Sequence, residues 1–125
     1  MKGKKMEAKE LMGDLLEAWR THDDERRHAL VHNVFAESAV HHVAGENLRF
    51  SGIDEIEANI AQVNKEQIQG AGFVFGFGNT VTNHDSIQQE WDIADASGNI
   101  LRTGRDFLIR DDAGKITALY MFGGA

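Results

Sequence analysis

The sequence predicts an α+β domain in which three helices precede a mainly antiparallel sheet. Two observations carry this prediction: apolar residues recur at helical spacing up to about residue 70, and they recur with a period of two from Phe73 onward. The later strands are joined by short turn-forming segments, so neighbouring strands are expected to pair antiparallel. Helices followed by long antiparallel strands are typical of an α+β architecture with the helices on one face of the sheet.

The three helices are predicted from one-sided apolar stripes, and each has a recognisable start or end. Asp23 or Asp24 can cap the second helix, and Ser51 or Gly52 can open the third. In the third helix the apolar stripe steps by three and four residues and reaches Gln67 before Gly70 ends it. The helices are predicted over about residues 6–20, 23–36 and 51–70.

Two short strands are predicted between the second and third helices, and four longer strands follow the third. The last strand is apolar on both faces, with Leu119 and Met121 on one side and Tyr120 and Phe122 on the other. Such a strand is expected in a sheet that is covered on both sides, and a second subunit is the simplest cover for the face that the helices do not reach. We therefore expect a homodimer with Leu119 and Met121 on the outer face. The strands are predicted over residues 39–43, 48–50, 73–77, 87–93, 100–110 and 116–122.

Length and composition fit a single domain spanning residues 1–125, with residues 1–7 as a flexible, charged N-terminal tail. The chain has no cysteine, so it can form neither a disulfide nor a thiolate site. Its net charge of −7 argues against nucleic acid and anionic membranes as partners. Charged residues from Glu7 to Glu10 interrupt any secretory signal, and no apolar run approaches the roughly 20 residues that span a bilayer. We therefore expect a cytoplasmic protein.

Asp106 is the first candidate functional residue, because it lies within the predicted strand 100–110. Aspartate is depleted from strands, and burying it without a partner costs several kcal/mol, so it must face either water or a polar cavity. Asp106 shares its strand face with Arg102 and Arg110. A cross-strand ion pair worth less than about 1 kcal/mol is therefore an alternative to a cavity site.

The histidines offer two further candidate sites. His41 and His42 are adjacent on a strand and must point to opposite faces, so only one of them can join Asp106 in moving protons. A strand-end histidine bonded to the backbone is the alternative. His28 and His32 are spaced four apart on a helix, as metal ligands can be, but no third ligand is evident nearby in the sequence. A solvated helix face is favoured there, and we predict no metal site and no cofactor.

Aromatic residues are spread over the helices and strands in positions that could narrow an apolar pocket. Any single one of them could equally be part of the core. Together they suggest a small, largely hydrophobic ligand with one or two polar handles. The predicted pocket-lining residues are Trp19, Phe35, Phe50, Phe77, Trp91, Tyr120 and Phe122.

Three short segments and the order of elements resemble the NTF2-like superfamily, and the SnoaL-like branch in particular. The segments are residues 35–42, 52–56 and 112–116, and the resemblance extends from about residue 8 to the end of the chain. It implies a cone in which three helices lean on a strongly curved sheet around one deep pocket, usually in a homodimer. The superfamily includes ketosteroid isomerases, polyketide cyclases, limonene epoxide hydrolases, dehydratases and proteins without catalytic activity.

The resemblance places Asp106 where ketosteroid isomerases carry the acid of their oxyanion hole, and His42 where SnoaL-like proteins commonly have a histidine. The isomerases' base carboxylate would fall near Val43, which cannot ionise, and their tyrosine falls on Leu15, Leu16 or Trp19. Epoxide hydrolases would need an arginine at Gly104.

Two hypotheses follow. The first is a cofactor-independent isomerase, cyclase or lyase that uses Asp106 with His42 or His41. The second is a non-catalytic ligand-binding or dimerisation module.

Overall fold

A computed structural model describes residues 6–45 and 47–123 of the chain. Of the predicted tail, residues 1–5 lie outside this description. Among the described helices, none is long and apolar enough to cross a membrane. The elements are α1 (Ala8–Arg20), α2 (Asp24–Val34), β1 (Phe35–Val43), β2 (Leu48–Ser51), α3 (Ile53–Val63), a π-helical segment (Asn64–Gly70), β3 (Val74–Asn83), β4 (Ser86–Ala94), β5 (Ile100–Arg110) and β6 (Ile116–Gly123).

Helix α2 begins after a capping aspartate and ends before an extended residue. The Asp23 side chain accepts hydrogen bonds from the backbone N–H groups of Glu25 and Arg26, at 3.0 and 3.1 Å. The helix ends at Val34, two residues earlier than predicted, because Phe35 is already extended and opens β1. Phe35 is 1% exposed and belongs to the core, so its predicted place in the pocket lining is wrong.

The third helix changes its hydrogen-bonding pattern after Val63 and continues as the π-helical segment to Gly70. The fully buried Asn64 explains why this segment is fixed in place. Its side-chain amide donates to the carbonyls of Trp19 and Thr21, at 2.7 and 2.9 Å, and these carbonyls end α1. The π-helical segment therefore joins the end of α3 to the end of α1, and π-helical turns are frequent at functional sites.

The six strands form one sheet in the order β2-β1-β6-β5-β4-β3. The pairing of β1 with β6 is parallel, whereas all the other pairs are antiparallel. Strands β3 to β6 run as a meander, as predicted, and the α+β class with helices on a curved sheet is confirmed. The parallel pair is not predicted by the sequence, because β1 is separated from β6 by most of the chain.

A bulge in β3 helps to curve the sheet. The register with β4 shifts between Phe77 and Thr80, and such shifts bend and twist a strand. Gln89 is fully buried against this bulge, where its amide donates to the carbonyls of Gly78 and Asn79, both at 3.1 Å. The buried amide of Gln89 therefore pairs with carbonyl groups that the bulge removes from the regular strand ladder.

The helices cover the concave face of the sheet and leave the other face, here called the outer face, uncovered by helices. Leu119 is 1% exposed in the core beneath the helices, and Met121 packs against the same core. Tyr120 and Phe122 lie on the outer face and are 38% and 51% exposed. The prediction that Leu119 and Met121 lie on the outer face is therefore wrong. The simple alternation of the sequence groups the buried Ile116 with Tyr120 and Phe122. The register of β6 shifts after Ile116, so Tyr120 and Phe122 lie on the opposite face from it.

Candidate functional site

A cavity of about 460 Å³ lies between the helices and the concave face of the sheet. This volume suits a small organic molecule. Its wall is formed by residues of α1 and of all six strands, and α3 and the π-helical segment close one side. The aromatic lining residues are Trp19, Phe50, Phe75, Phe77 and Trp91, and the polar ones include Asn59, Gln67, Asp92, Arg102 and Asp106.

Asp106 is a buried carboxyl group that opens onto this cavity. It lies on β5 between Met121 of β6 and Gln89 of β4, and it is 3% exposed. Its Oδ1 atom has no hydrogen-bond partner among the described residues, because the amide of Gln89 is committed to the β3 bulge. Burial raises the pKa of Asp106 to about 7, with a smaller opposing effect from the Trp91 indole N–H.

The alternative interpretation of Asp106, an ion pair on its own strand, does not match its surroundings. Arg110 donates instead to the backbone carbonyl of Met6 at 2.8 Å. The guanidinium carbon of Arg102 lies 5.9 Å from the centre of the Trp91 ring, in a cation–π arrangement. Within residues 6–45 and 47–123, no arginine or lysine forms a salt bridge with Asp106.

Trp91 shapes the cavity because Gly104 leaves room for its indole. The two residues are opposite each other on β4 and β5, and a Cβ atom at position 104 would overlap the indole and the backbone carbonyl of Phe122. The arginine that epoxide hydrolases would need at this position therefore has no space here. The buried indole N–H lies near enough to the Asp106 carboxyl to lower its pKa, although the arrangement of the two groups does not meet the geometry of a hydrogen bond.

Arg102 and Asp106 lie at different depths of the cavity. They are four residues apart on one strand face, which corresponds to about 13 Å between their backbones. Arg102 is exposed, whereas Asp106 is buried. The cavity therefore has a cationic group towards solvent and a carboxyl group at its inner end.

His41 lies in the core on the cavity side of the sheet but is not among the cavity-lining residues. It is 1% exposed and packs beside Trp19 and Phe50, at ring-centre distances of 6.3 and 5.7 Å. Neither ring nitrogen has a hydrogen-bond partner among the described residues. Burial, with a smaller contribution from His42, lowers the pKa of His41 to about 4, so the imidazole is neutral at pH 7.

His42 lies on the outer face, away from Asp106. It stacks on Tyr120 with 4.4 Å between ring centres and 5° between ring planes. The structure therefore does not bring His42 and Asp106 together, because alternation on β1 turns His41 inward and His42 outward. Tyr120 and Phe122 are on the same outer face, so their predicted place in the pocket lining is also wrong.

Sequence reasoning left several lining residues out, and some of them carried a recognisable signal. Gln67 is the one polar member of the apolar stripe on the third helix. Phe75 is part of the alternation that predicted β3, and Arg102 was recognised only as a neighbour of Asp106. Asn59 gave no signal, because the same pattern of polar residues occurs on a solvated helix face.

The curved six-stranded sheet with three helices on its concave face is the NTF2-like fold, so the fold that the resemblance implied is confirmed. No protein-family model matches the chain, and no curated protein matches it.

Several solved structures share this fold. A proposed isomerase of the SnoaL-like family from Agrobacterium tumefaciens superposes with a TM-score of 0.79 at 23% identity, covering 92% of this chain and 95% of that one. An NTF2-like protein of unknown function from Exiguobacterium superposes with a TM-score of 0.72 at 16% identity, covering 91% of this chain and 98% of that one. A proposed polyketide cyclase from Sinorhizobium meliloti superposes with a TM-score of 0.66 at 18% identity, covering 89% of this chain and 92% of that one.

Proposed function

We propose that the cavity binds a small, largely hydrophobic molecule and that Asp106 exchanges a proton with it, as a cofactor-independent isomerase, cyclase or lyase would require. The observation that carries this proposal is the Asp106 carboxyl, which is buried at the inner end of an aromatic cavity with an unpartnered oxygen and a raised pKa. Strongly perturbed carboxyl groups in clefts are characteristic of functional sites.

Both protonation states of Asp106 have a use in such chemistry. A pKa near 7 means that the acid and the carboxylate are both populated at neutral pH. The protonated form can donate a hydrogen bond to a ketone oxygen. The carboxylate can accept a proton from the carbon next to a carbonyl, which leaves an enolate, and can return that proton to the same or another carbon.

The proton transfer is assigned to Asp106 alone. His42 is on the other face of the sheet, and His41 is neutral and lies outside the cavity lining. The remaining polar groups suit orientation of the ligand: Asn59 and Gln67 on the helical wall, and Arg102 towards solvent. We therefore expect a ligand with an apolar body, an oxygen function near Asp106 and a polar or anionic substituent near Arg102.

The alternative function is ligand binding without catalysis. One observation favours it: no second titratable side chain is hydrogen-bonded to Asp106 within the described part of the chain. Without such a partner, one carboxyl group would have to act both as the acid and as the base of the reaction.

The two functions can be separated with one bicyclic ketone, 2-tetralone, in deuterated buffer. Binding is measured by the quenching of the fluorescence of Trp19 and Trp91, both of which line the cavity. Proton transfer is measured by NMR as exchange of deuterium into the carbon next to the carbonyl. The wild type is expected to bind the ketone and to accelerate the exchange, whereas Asp106→Asn is expected to lose at least about 100-fold in the accelerated rate.

The matched control is Asp112→Asn, because Asp112 is an exposed carboxylate in the turn between β5 and β6. It is expected to match the wild type in both measurements. Binding without accelerated exchange would support the non-catalytic alternative. Absence of binding for 2-tetralone and for a panel of bicyclic ketones and phenols would contradict both functions.

A further inference from the structure

We propose that His28, His32 and Glu57 form a binding site for a divalent transition-metal ion of the zinc class, which would link α2 to α3. This site is separate from the cavity and does not depend on the function proposed for it. The two histidines are one turn apart on α2, and Glu57 faces them from α3.

The three side chains already converge. The Nδ1 atom of His28 lies 2.9 and 3.0 Å from the two carboxylate oxygens of Glu57. The Nε2 atom of His32 lies 3.3 Å from Glu57 Oε1. One nitrogen or oxygen from each of the three residues lies within 4.8 Å of the others. Two atoms that bind one tetrahedral zinc ion at 2.0–2.1 Å are about 3.4 Å apart, so only small side-chain rotations are needed to admit an ion.

One atom of this cluster is not explained by hydrogen bonding. His32 Nε2 is buried, and it has no hydrogen-bond partner among the described residues although Glu57 Oε1 is only 3.3 Å away. This nitrogen is within salt-bridge distance of Glu57, whose carboxylate also contacts His28. A metal ion between the three side chains would give the nitrogen the directed partner that buried polar atoms normally have.

The donor set determines the kind of ion. Two imidazoles and one carboxylate suit Zn²⁺, Co²⁺, Ni²⁺ or Cu²⁺, whereas Mg²⁺ and Ca²⁺ prefer sites built from oxygen alone. Three protein ligands leave a fourth tetrahedral position for water. Binding must displace the hydrogen bond between His28 and Glu57, so that bond competes with the ion.

The backbone around the site is well anchored. Lys115 Nζ donates to the backbone carbonyl of His32 at 2.6 Å, which satisfies a carbonyl in the last turn of α2. That contact uses the backbone and leaves the imidazole of His32 available. The sequence showed the spacing of the two histidines but not the third ligand, because Glu57 comes from another helix.

The test is a calorimetric titration of tag-free protein with zinc chloride. The wild type is expected to bind one Zn²⁺ per chain in a saturable manner. His32→Gln and Glu57→Gln each remove one ligand and are expected to weaken binding at least about tenfold. The matched control is His22→Gln, which removes an exposed histidine just before α2 and is expected to leave zinc binding unchanged.

Three further measurements keep the outcome clear. Far-UV circular dichroism checks that each variant is folded, and Co²⁺ replaces Zn²⁺ to give visible absorption bands that report tetrahedral coordination. Zinc is also expected to raise the Tm of the wild type but not that of Glu57→Gln, because a ligand that binds only the folded state stabilises it. The proposal would be overturned if the wild type failed to bind one Zn²⁺. It would also be overturned if His32→Gln and Glu57→Gln, both folded, bound Zn²⁺ as tightly as the wild type does.

Discussion

At the scale of single residues, Asp106 and His41 have opposite effects on how stability depends on pH. The pKa of Asp106 is raised to about 7 from its ordinary 3.8, so its contribution to stability is present below about pH 3.8 and is lost as the pH rises through 7. The pKa of His41 is lowered from 6.5 to about 4, so its contribution is present above about pH 6.5 and is lost as the pH falls towards 4. Between pH 4 and 6.5 the two effects therefore nearly cancel in the wild type.

Replacing Asp106 by Asn should reveal this balance. Asn keeps the volume of Asp106 but has no proton to lose, so the variant should gain stability over the wild type as the pH rises from 4 to 8, by on the order of 4 kcal/mol. The effect of His41 would then be unopposed, and the variant should become more stable from pH 4 to 6.5. Urea unfolding across this pH range measures both effects, with Asp112→Asn as the control that should follow the wild type. A difference between Asp106→Asn and the wild type that stays constant with pH would contradict the raised pKa.

The sequence identified Asp106 as unusual from its strand context alone, because the cost of burying a carboxylate is independent of the details of the fold. It could not show which histidine faces inward. That depends on the face of the sheet to which β1 is turned, and β1 pairs in parallel with β6, which lies far along the chain. Glu57, the third member of the cluster with His28 and His32, could not be predicted for a similar reason. Contacts between two helices cannot be inferred from the spacing of residues along one of them.

At the scale of elements, the crossing of Trp91 over Gly104 is a close contact between β4 and β5 that leaves no room for a side chain at position 104. Gly104→Ala would place a methyl group against the indole and the Phe122 carbonyl, so we expect it to destabilise the protein by about 1–3 kcal/mol and to change the fluorescence of Trp91. The control is Gly13→Ala on α1, where nothing lies within 4 Å of the added methyl group. That change should stabilise the protein by about 0.5–1 kcal/mol. Equal melting temperatures for the two variants would contradict the close packing at Gly104.

Most elements could be predicted from periodicity, but their irregular parts could not. The third helix was correctly expected to reach Gly70, yet its π-helical end depends on bonds from Asn64 to carbonyls of α1. Strand β1 was predicted from residue 39, whereas it begins at Phe35. Phe35 fits an apolar helical stripe as well as a strand, and only its packing in the core decides between them.

At the scale of the whole molecule, the helices leave the outer face of the sheet uncovered. Tyr120 stacks on His42 and packs near Phe107, at a ring-centre distance of 6.4 Å, and Phe122 and Leu101 are each 51% exposed. Aromatic and aliphatic side chains exposed together on one sheet face are characteristic of association surfaces. We propose that a second copy of the chain covers this face.

Phe122→Glu places a charge on this face without altering the core. If a second copy covers the face, the wild type should sediment at micromolar concentration with twice the 13.9 kDa mass of the chain, and the variant should sediment as a monomer. The control is Ala29→Glu on the exposed side of α2, which should leave the wild-type mass unchanged. A wild type that sediments at the mass of one chain would contradict the dimer, and a dimer unaffected by Phe122→Glu would place the interface elsewhere. Since Asp106 opens onto the concave face, dissociation by Phe122→Glu should leave 2-tetralone binding intact, which would separate assembly from the function of the cavity.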